Sequence, residues 1–135
     1  MTMATNVAQA STGRLWTGRV LSALGALFMV FDGVIHILRI APVVEAFAQL
    51  GYPLSASRTL GVIELICVAL YLWPRTAAFG AILLTGYLGG AIATQVRVGA
   101  PLFSTTLFPV YVGLLLWGGL YLRDERVVSL IPLRN

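Results

Sequence analysis

Lysine is absent from this 135-residue chain, and cysteine and histidine occur once each. Without a lysine no side-chain amine can form a Schiff base, so that branch of covalent catalysis is excluded. The single thiol, Cys67, permits neither an internal disulfide nor a Cys-x-x-Cys redox pair and reads as a small packing residue. The lone histidine, His36, leaves a bundle haem without a second axial histidine, so no haem is expected. Charge is scarce as well: Asp, Glu, Lys and Arg make up 10% of the residues. The net charge of +4 comes from nine arginines set against five acids. These arginines are scattered singly, with no basic stretch or aromatic platform to follow a phosphate backbone, and nucleic acid is not expected as a partner.

What fills the chain instead is apolar sequence. Four runs stand out, Val20 to Leu38, Leu60 to Trp73, Ala77 to Thr94 and Leu102 to Leu122, most of them near the ~20 residues a helix needs to cross a bilayer. The second is short and reaches a spanning length if its helix starts at Ser55 or Ser57, either of which can act as an N-cap after Tyr52 and Pro53. Alternation of apolar and polar residues, the mark of a membrane β-barrel, is missing. With 59% hydrophobic residues and a mean hydropathy of +0.90, the expected fold is an all-α membrane protein, a four-transmembrane-helix antiparallel bundle. Residues 1–17 are expected as a flexible tail, with Met1 to Gly13 frayed; residues 18–123 form the membrane domain and residues 124–135 a C-terminal tail. The start lacks a cationic region and the first apolar run is long for a signal peptide, so cleavage is not expected.

The connections carry their own signals. Trp73-Pro-Arg-Thr76 is so short that the second and third spans must be antiparallel neighbours. The third span has two small-residue stripes, Ala77-Ala81-Thr85-Gly89-Ala93 and Gly86-Gly90-Thr94, whose expected role is close helix packing. Between the first two spans, Val43, Val44, Phe47 and Leu50 recur at helical spacing, which predicts a short helix in the outer interface. Pro109 removes a backbone donor in the fourth span, which predicts a kink and a freed carbonyl.

Three ionisable residues, Asp32, His36 and Glu64, lie inside apolar runs. Asp32 and His36 are four apart and share a helical face, continued upward by Arg39 and downward by Met29, Gly25 and Ser22. Counting 1.5 Å per residue from the outer ends of the helices puts Asp32 and Glu64 each about 10 Å deep, with Tyr87 and Tyr111 at about 12 Å. Above that layer stand His36, Arg39, Arg58, Thr94, Gln95 and Arg97, so the inferred site is a polar pocket opening outward beneath an arginine rim. A carboxylate at membrane depth costs at least about 2.5 kcal/mol on insertion scales, so each must pair, take up a proton or face water. One reading is a buried network in which Asp32 and Glu64 are neutralised by Arg39, Arg58 or Arg97. The other is a ligand site at Asp32, His36, Glu64, Tyr87 and Tyr111, where a quinone or another flat lipophile would meet hydrogen-bonding groups among apolar walls. Asp32, His36 and Glu64 also make a two-carboxylate, one-histidine set; no metal motif accompanies it, and no metal is expected.

Several stretches carry a family resemblance: Leu50-Gly-Tyr-Pro53, Leu60-Gly-Val-Ile-Glu64, Trp73-Pro-Arg-Thr-Ala77, the run from Gly80 to Thr94, Val96-Arg-Val98 and Tyr121-Leu-Arg-Asp124. From roughly Arg19 to the C-terminus the chain resembles the DoxX-like family of small four-helix membrane proteins. Family members commonly have His where this chain has Gln95, which here keeps a hydrogen-bonding role without proton transfer. The resemblance implies a setting near quinone-coupled redox chemistry or oxidative-stress complexes, or assistance to other membrane proteins. It does not say whether the protein is an enzyme.

Two functions therefore stand side by side. In the first, a multi-pass membrane protein binds a quinone-like or other lipophilic molecule, as an accessory to a membrane redox complex. In the second, a non-catalytic assembly subunit contacts a membrane protein partner or a second copy of itself, and its buried charges are structural. Orientation follows from the arginines: Arg14, Arg19, Arg75, Arg123, Arg126 and Arg134 fall on the side of both termini, against Arg39, Arg58 and Arg97 on the other. By the positive-inside rule both termini of this cell-membrane protein are cytoplasmic. A cysteine placed at Gln49 in a Cys67-free variant should then react with an impermeant thiol reagent on intact cells; labelling only after lysis contradicts the orientation.

Overall fold

A computed structural model of the chain describes residues 2–131, with side chains from Thr12 onward. The elements are α1 (Thr2–Leu38), α2 (Ala41–Leu50), α3 (Ser55–Leu72), α4 (Ala77–Arg97), a π-helical turn (Leu102–Thr106), α5 (Phe108–Arg123) and α6 (Glu125–Leu130). No strand occurs among the described residues. Four stretches are long and apolar enough to cross a membrane: Thr12–Leu38, Ser55–Leu72, Ala77–Arg97 and Leu102–Arg123. Leu27, Phe31, Ile66, Phe79, Ile82 and Leu114 are exposed on the outside, an apolar coat that suits lipid rather than water. The protein is a multi-pass, all-helical membrane protein.

Inside, α1 packs on α3 and α5, and α4 closes the ring by packing on the same two helices. Met29, Val68, Tyr71, Leu84, Leu116 and Leu120 form the buried seam between them. Glycine lets two of these crossings come close. A Cβ on Gly61 would stand 2.6 Å from the Gly33 carbonyl oxygen, and one on Gly18 would stand 2.8 Å from that of Gly119, so α1 meets α3 and α5 backbone to backbone. The stripes on α4 divide. Ala77 and Ala81 are buried in contact with the core, whereas a Cβ at Gly86, Gly89 or Gly90 would meet nothing within 4 Å. In its second half, close packing is not what the small residues of α4 are for.

Several local expectations are corrected. Neither serine caps α3: Leu54 occupies the cap position with no side-chain bond, and the Ser57 hydroxyl donates to the His36 carbonyl at 2.6 Å, stitching α3 to α1. Pro109 kinks no continuous span. The chain makes its π-helical turn over Leu102–Thr106, and α5 begins afresh with Pro109 in its first turn, where a missing N–H leaves no bond unmade. The predicted connecting helix exists as α2, with Val43 and Phe47 buried and Gly51 ending it in the left-handed conformation (φ 75°).

At the ends, the backbone of α1 continues back to Thr2 through the segment expected as a tail. Past the bundle, α6 interrupts the expected C-terminal tail. The Asp124 side chain accepts the Arg126 N–H at 3.0 Å and so caps α6, and Arg126 reaches on to the Pro74 carbonyl at 2.8 Å. Hydrogen bonding from Arg126 holds the Asp124 carboxyl below the usual carboxylate range. Arg134 lies outside the described residues. About 15 Å along α1 from Asp32, the Tyr71 hydroxyl donates to the Leu116 carbonyl at 2.6 Å and lies 2.8 Å from Ser22 Oγ, which Arg123 Nε contacts at 2.9 Å. Ser22 looks inward like Met29 on the same stripe, and its partners belong to this cluster rather than to the layer of Asp32.

Candidate functional site

Asp32 and His36 occupy successive turns of α1, so their side chains meet: His36 Nδ1 lies 3.3 Å from Asp32 Oδ2 and 2.7 Å from the Asp32 backbone oxygen. A carbonyl only accepts, so Nδ1 carries the proton and, in the neutral ring, Nε2 keeps the lone pair. Glu64 faces them from α3 and is completely buried. Its Oε2 accepts the Tyr87 hydroxyl of α4 at 3.0 Å, while its Oε1 is buried with no partner among the described residues. One ligand-type atom from each of Asp32, His36 and Glu64 lies within 4.8 Å of the others. Three helices thus converge on one polar layer.

That layer forms the polar part of a cavity of about 650 Å³. Phe28 and Phe108, edge to face at 5.0 Å, line it from α1 and α5. Gly86, Gly90, Ala91, Thr94 and Gln95 line it from α4, and Pro42, Val43, Ala46, Phe47 and Leu50 from α2. Here the function of the unpacked glycines becomes visible: with no side chains at Gly86 and Gly90, α4 leaves volume open. The His36 ring rests edge-on against Phe47 at 5.6 Å, and Phe47 lies 5.9 Å from Tyr52, whose hydroxyl lies 3.0 Å from Thr94 Oγ1. A train of aromatic contacts therefore ties α2 over the cavity.

The arginine rim is not there. Arg58 Nε donates to the Ile37 carbonyl at 3.3 Å, Arg97 donates to the Leu50 carbonyl, and Arg39, at a left-handed φ of 54° after α1, has a buried Nε without a partner. Among the described residues, the ion pairs are His36 with Asp32 and Arg126 with Asp124, so neither Asp32 nor Glu64 is neutralised by arginine. Arg58 and Arg97 satisfy carbonyls at helix ends. Tyr111 is corrected too. It is exposed, and its hydroxyl donates back to the Phe103 carbonyl at 2.9 Å, away from the carboxylates. Gln95 lines the cavity. The sequence reading missed Ser57, the covering face of α2 and the cavity-forming glycines; the helical spacing of Val43 and Phe47 was the available signal for the second.

Residues 20–119 match the model of the DoxX-like family. The chain belongs to that family. The matched stretch contains every residue lining the cavity. Comparison with curated proteins gives no match, and comparison with solved structures gives none.

Chemically, this DoxX-like bundle presents donors and acceptors on one side of an apolar chamber. Gln95 can donate, Asp32 and His36 Nε2 can accept, and the Tyr87 proton is committed to Glu64. Tyr87 is also the one described hydrogen-bond partner of a fully buried carboxylate. Tyr87→Phe should therefore lower stability in detergent by about 1–3 kcal/mol, the penalty for stranding a buried polar group. Tyr111→Phe, which loses an exposed local bond, should stay within about 1 kcal/mol. Thermal melts of the two variants check this, and equal losses would contradict the distinction.

Proposed function

We propose that this DoxX-like protein binds a lipophilic small molecule of the quinone type in the chamber between α1, α2, α4 and α5. The observation that carries the reading is a cavity of about 650 Å³ beside two membrane-depth carboxylates that no described arginine neutralises. Ligand pockets commonly enclose about 300–1,000 Å³, are lined mainly by apolar side chains, and fix orientation with a few polar groups. Phe28, Phe47 and Phe108 supply walls for a flat ring, and Gln95 supplies a donor for one of its carbonyl oxygens. The family resemblance supports placing such a protein beside a membrane redox complex, as an accessory subunit. The outward opening of the chamber rests on the arginine bias alone.

The reading in which buried charges merely lock the bundle requires carboxylate–arginine pairs to do the locking. Here Arg58 and Arg97 are engaged with carbonyls, Arg39 forms no ion pair with either carboxylate among the described residues, and glycine contacts and the Ser57 bond join the helices.

Gly90 gives the cleanest test, because a Cβ there meets nothing within 4 Å and a larger side chain projects into the chamber without disturbing a neighbour. Wild-type protein incubated with a decyl-benzoquinone and passed through a desalting column should retain about one quinone per chain. Gly90→Leu should fold normally yet weaken retention at least about tenfold, equivalent to ~1.4 kcal/mol. Wild-type protein that retains none, or a folded Gly90→Leu variant that retains as much, would contradict the proposal.

A further inference from the structure

We propose that Asp32, His36 and Glu64 together form a site for one divalent transition-metal cation at the polar side of the chamber, independent of any lipophile bound there. Asp32 and His36 stand one turn apart on α1, and Glu64 joins them from α3 only in the fold. Their ligand-type atoms lie within 4.8 Å of one another. Donors about 2.1 Å from one ion at tetrahedral angles stand about 3.4 Å apart, so side-chain rotations that draw the most distant pair together by about 1.4 Å close the set around a cation.

Three features beyond proximity point to a cation. Glu64 is completely buried with Tyr87 on one carboxylate oxygen and, among the described residues, no donor on the other, which has the Asp32 carboxyl as a neighbour; two adjoining carboxyls with no donor between them call for a shared proton or a metal. His36 brings Nδ1 to 3.3 Å from the Asp32 carboxylate, so a ring turned off the Asp32 carbonyl that Nδ1 meets at 2.7 Å offers a nitrogen to an ion shared with Asp32 and Glu64. Charge completes the argument. Two ionised carboxylates and one dication sum to zero, in a layer that no described arginine neutralises. Two oxygens and one imidazole suit Zn²⁺, Co²⁺, Mn²⁺ or Fe²⁺, and since all three residues line the cavity, coordination positions remain open on that side.

The test uses full-length, tag-free protein stripped with a chelator and freed of lipophile, titrated with Co²⁺ and followed by visible absorption. One Co²⁺ per chain is expected, with d–d bands of a low-coordinate, nitrogen-containing site that vanish when Zn²⁺ displaces it. His36→Gln and Glu64→Gln should each weaken binding more than about tenfold. Cys67→Ser, which removes the one thiol, should leave it unchanged. Should Glu64→Gln fail to fold, His36→Gln decides, because that side chain gives up a ring contact with Phe47 but has no place in the buried seam of the bundle. No stoichiometric Co²⁺ binding, or binding that survives His36→Gln in folded protein, overturns the proposal. Quinone retention is read separately, so either proposal can fall while the other stands.

Discussion

Glu64 is the constraint around which the rest of this bundle is arranged. A carboxyl group at membrane depth is tolerated only where protein, a proton, an ion or water compensates it, and Glu64 is completely buried with a single hydrogen bond from Tyr87. That bond joins α4 to α3 at the layer. The bond from Ser57 to the His36 carbonyl does the same for α3 and α1, and together they hold Asp32, His36, Glu64 and Tyr87 in one layer. Each element that brings a polar group to the layer is pinned by a specific contact rather than by hydrophobic packing, which between helices in lipid discriminates poorly.

The chamber beside that layer follows from how small residues are distributed. Where α1 crosses α3 and α5, glycines let backbones touch and the bundle is tight. Along the second half of α4 the glycines meet no neighbour, and the volume they release is bounded by the phenylalanines of α1, α2 and α5. The same residue type thus closes one side of the bundle and opens the other. The polar cluster of Tyr71, Ser22 and Arg123 has its hydrogen bonds satisfied internally, and it marks by contrast how incomplete the Glu64 layer is.

Much of this was legible in the sequence, and the failures have physical causes. The four spans, the α3–α4 hairpin, α2 and the shared depth of Asp32, Glu64 and Tyr87 follow from apolar run lengths and a constant rise per residue. Tyr111 was misplaced because that count assumed one continuous helix; the π-helical turn and the restart at Phe108 change the phase of everything after them. The arginine rim failed because a long guanidinium side chain can reach several acceptors, and unpaired carbonyls at helix ends compete well for it. The small-residue stripe of α4 was half right, since spacing says that a face is small and only the fold says whether a neighbour fills it.

The central claim is that the chamber beside Glu64 exists to hold a small lipophile. The most direct measurement is mass spectrometry of what accompanies the protein when it is extracted from its own membrane in mild detergent. The account predicts a ring-bearing, quinone-type lipophile approaching one per chain and enriched over an unrelated membrane protein prepared in parallel. Bulk phospholipid alone, in the same proportions as the control, would contradict it.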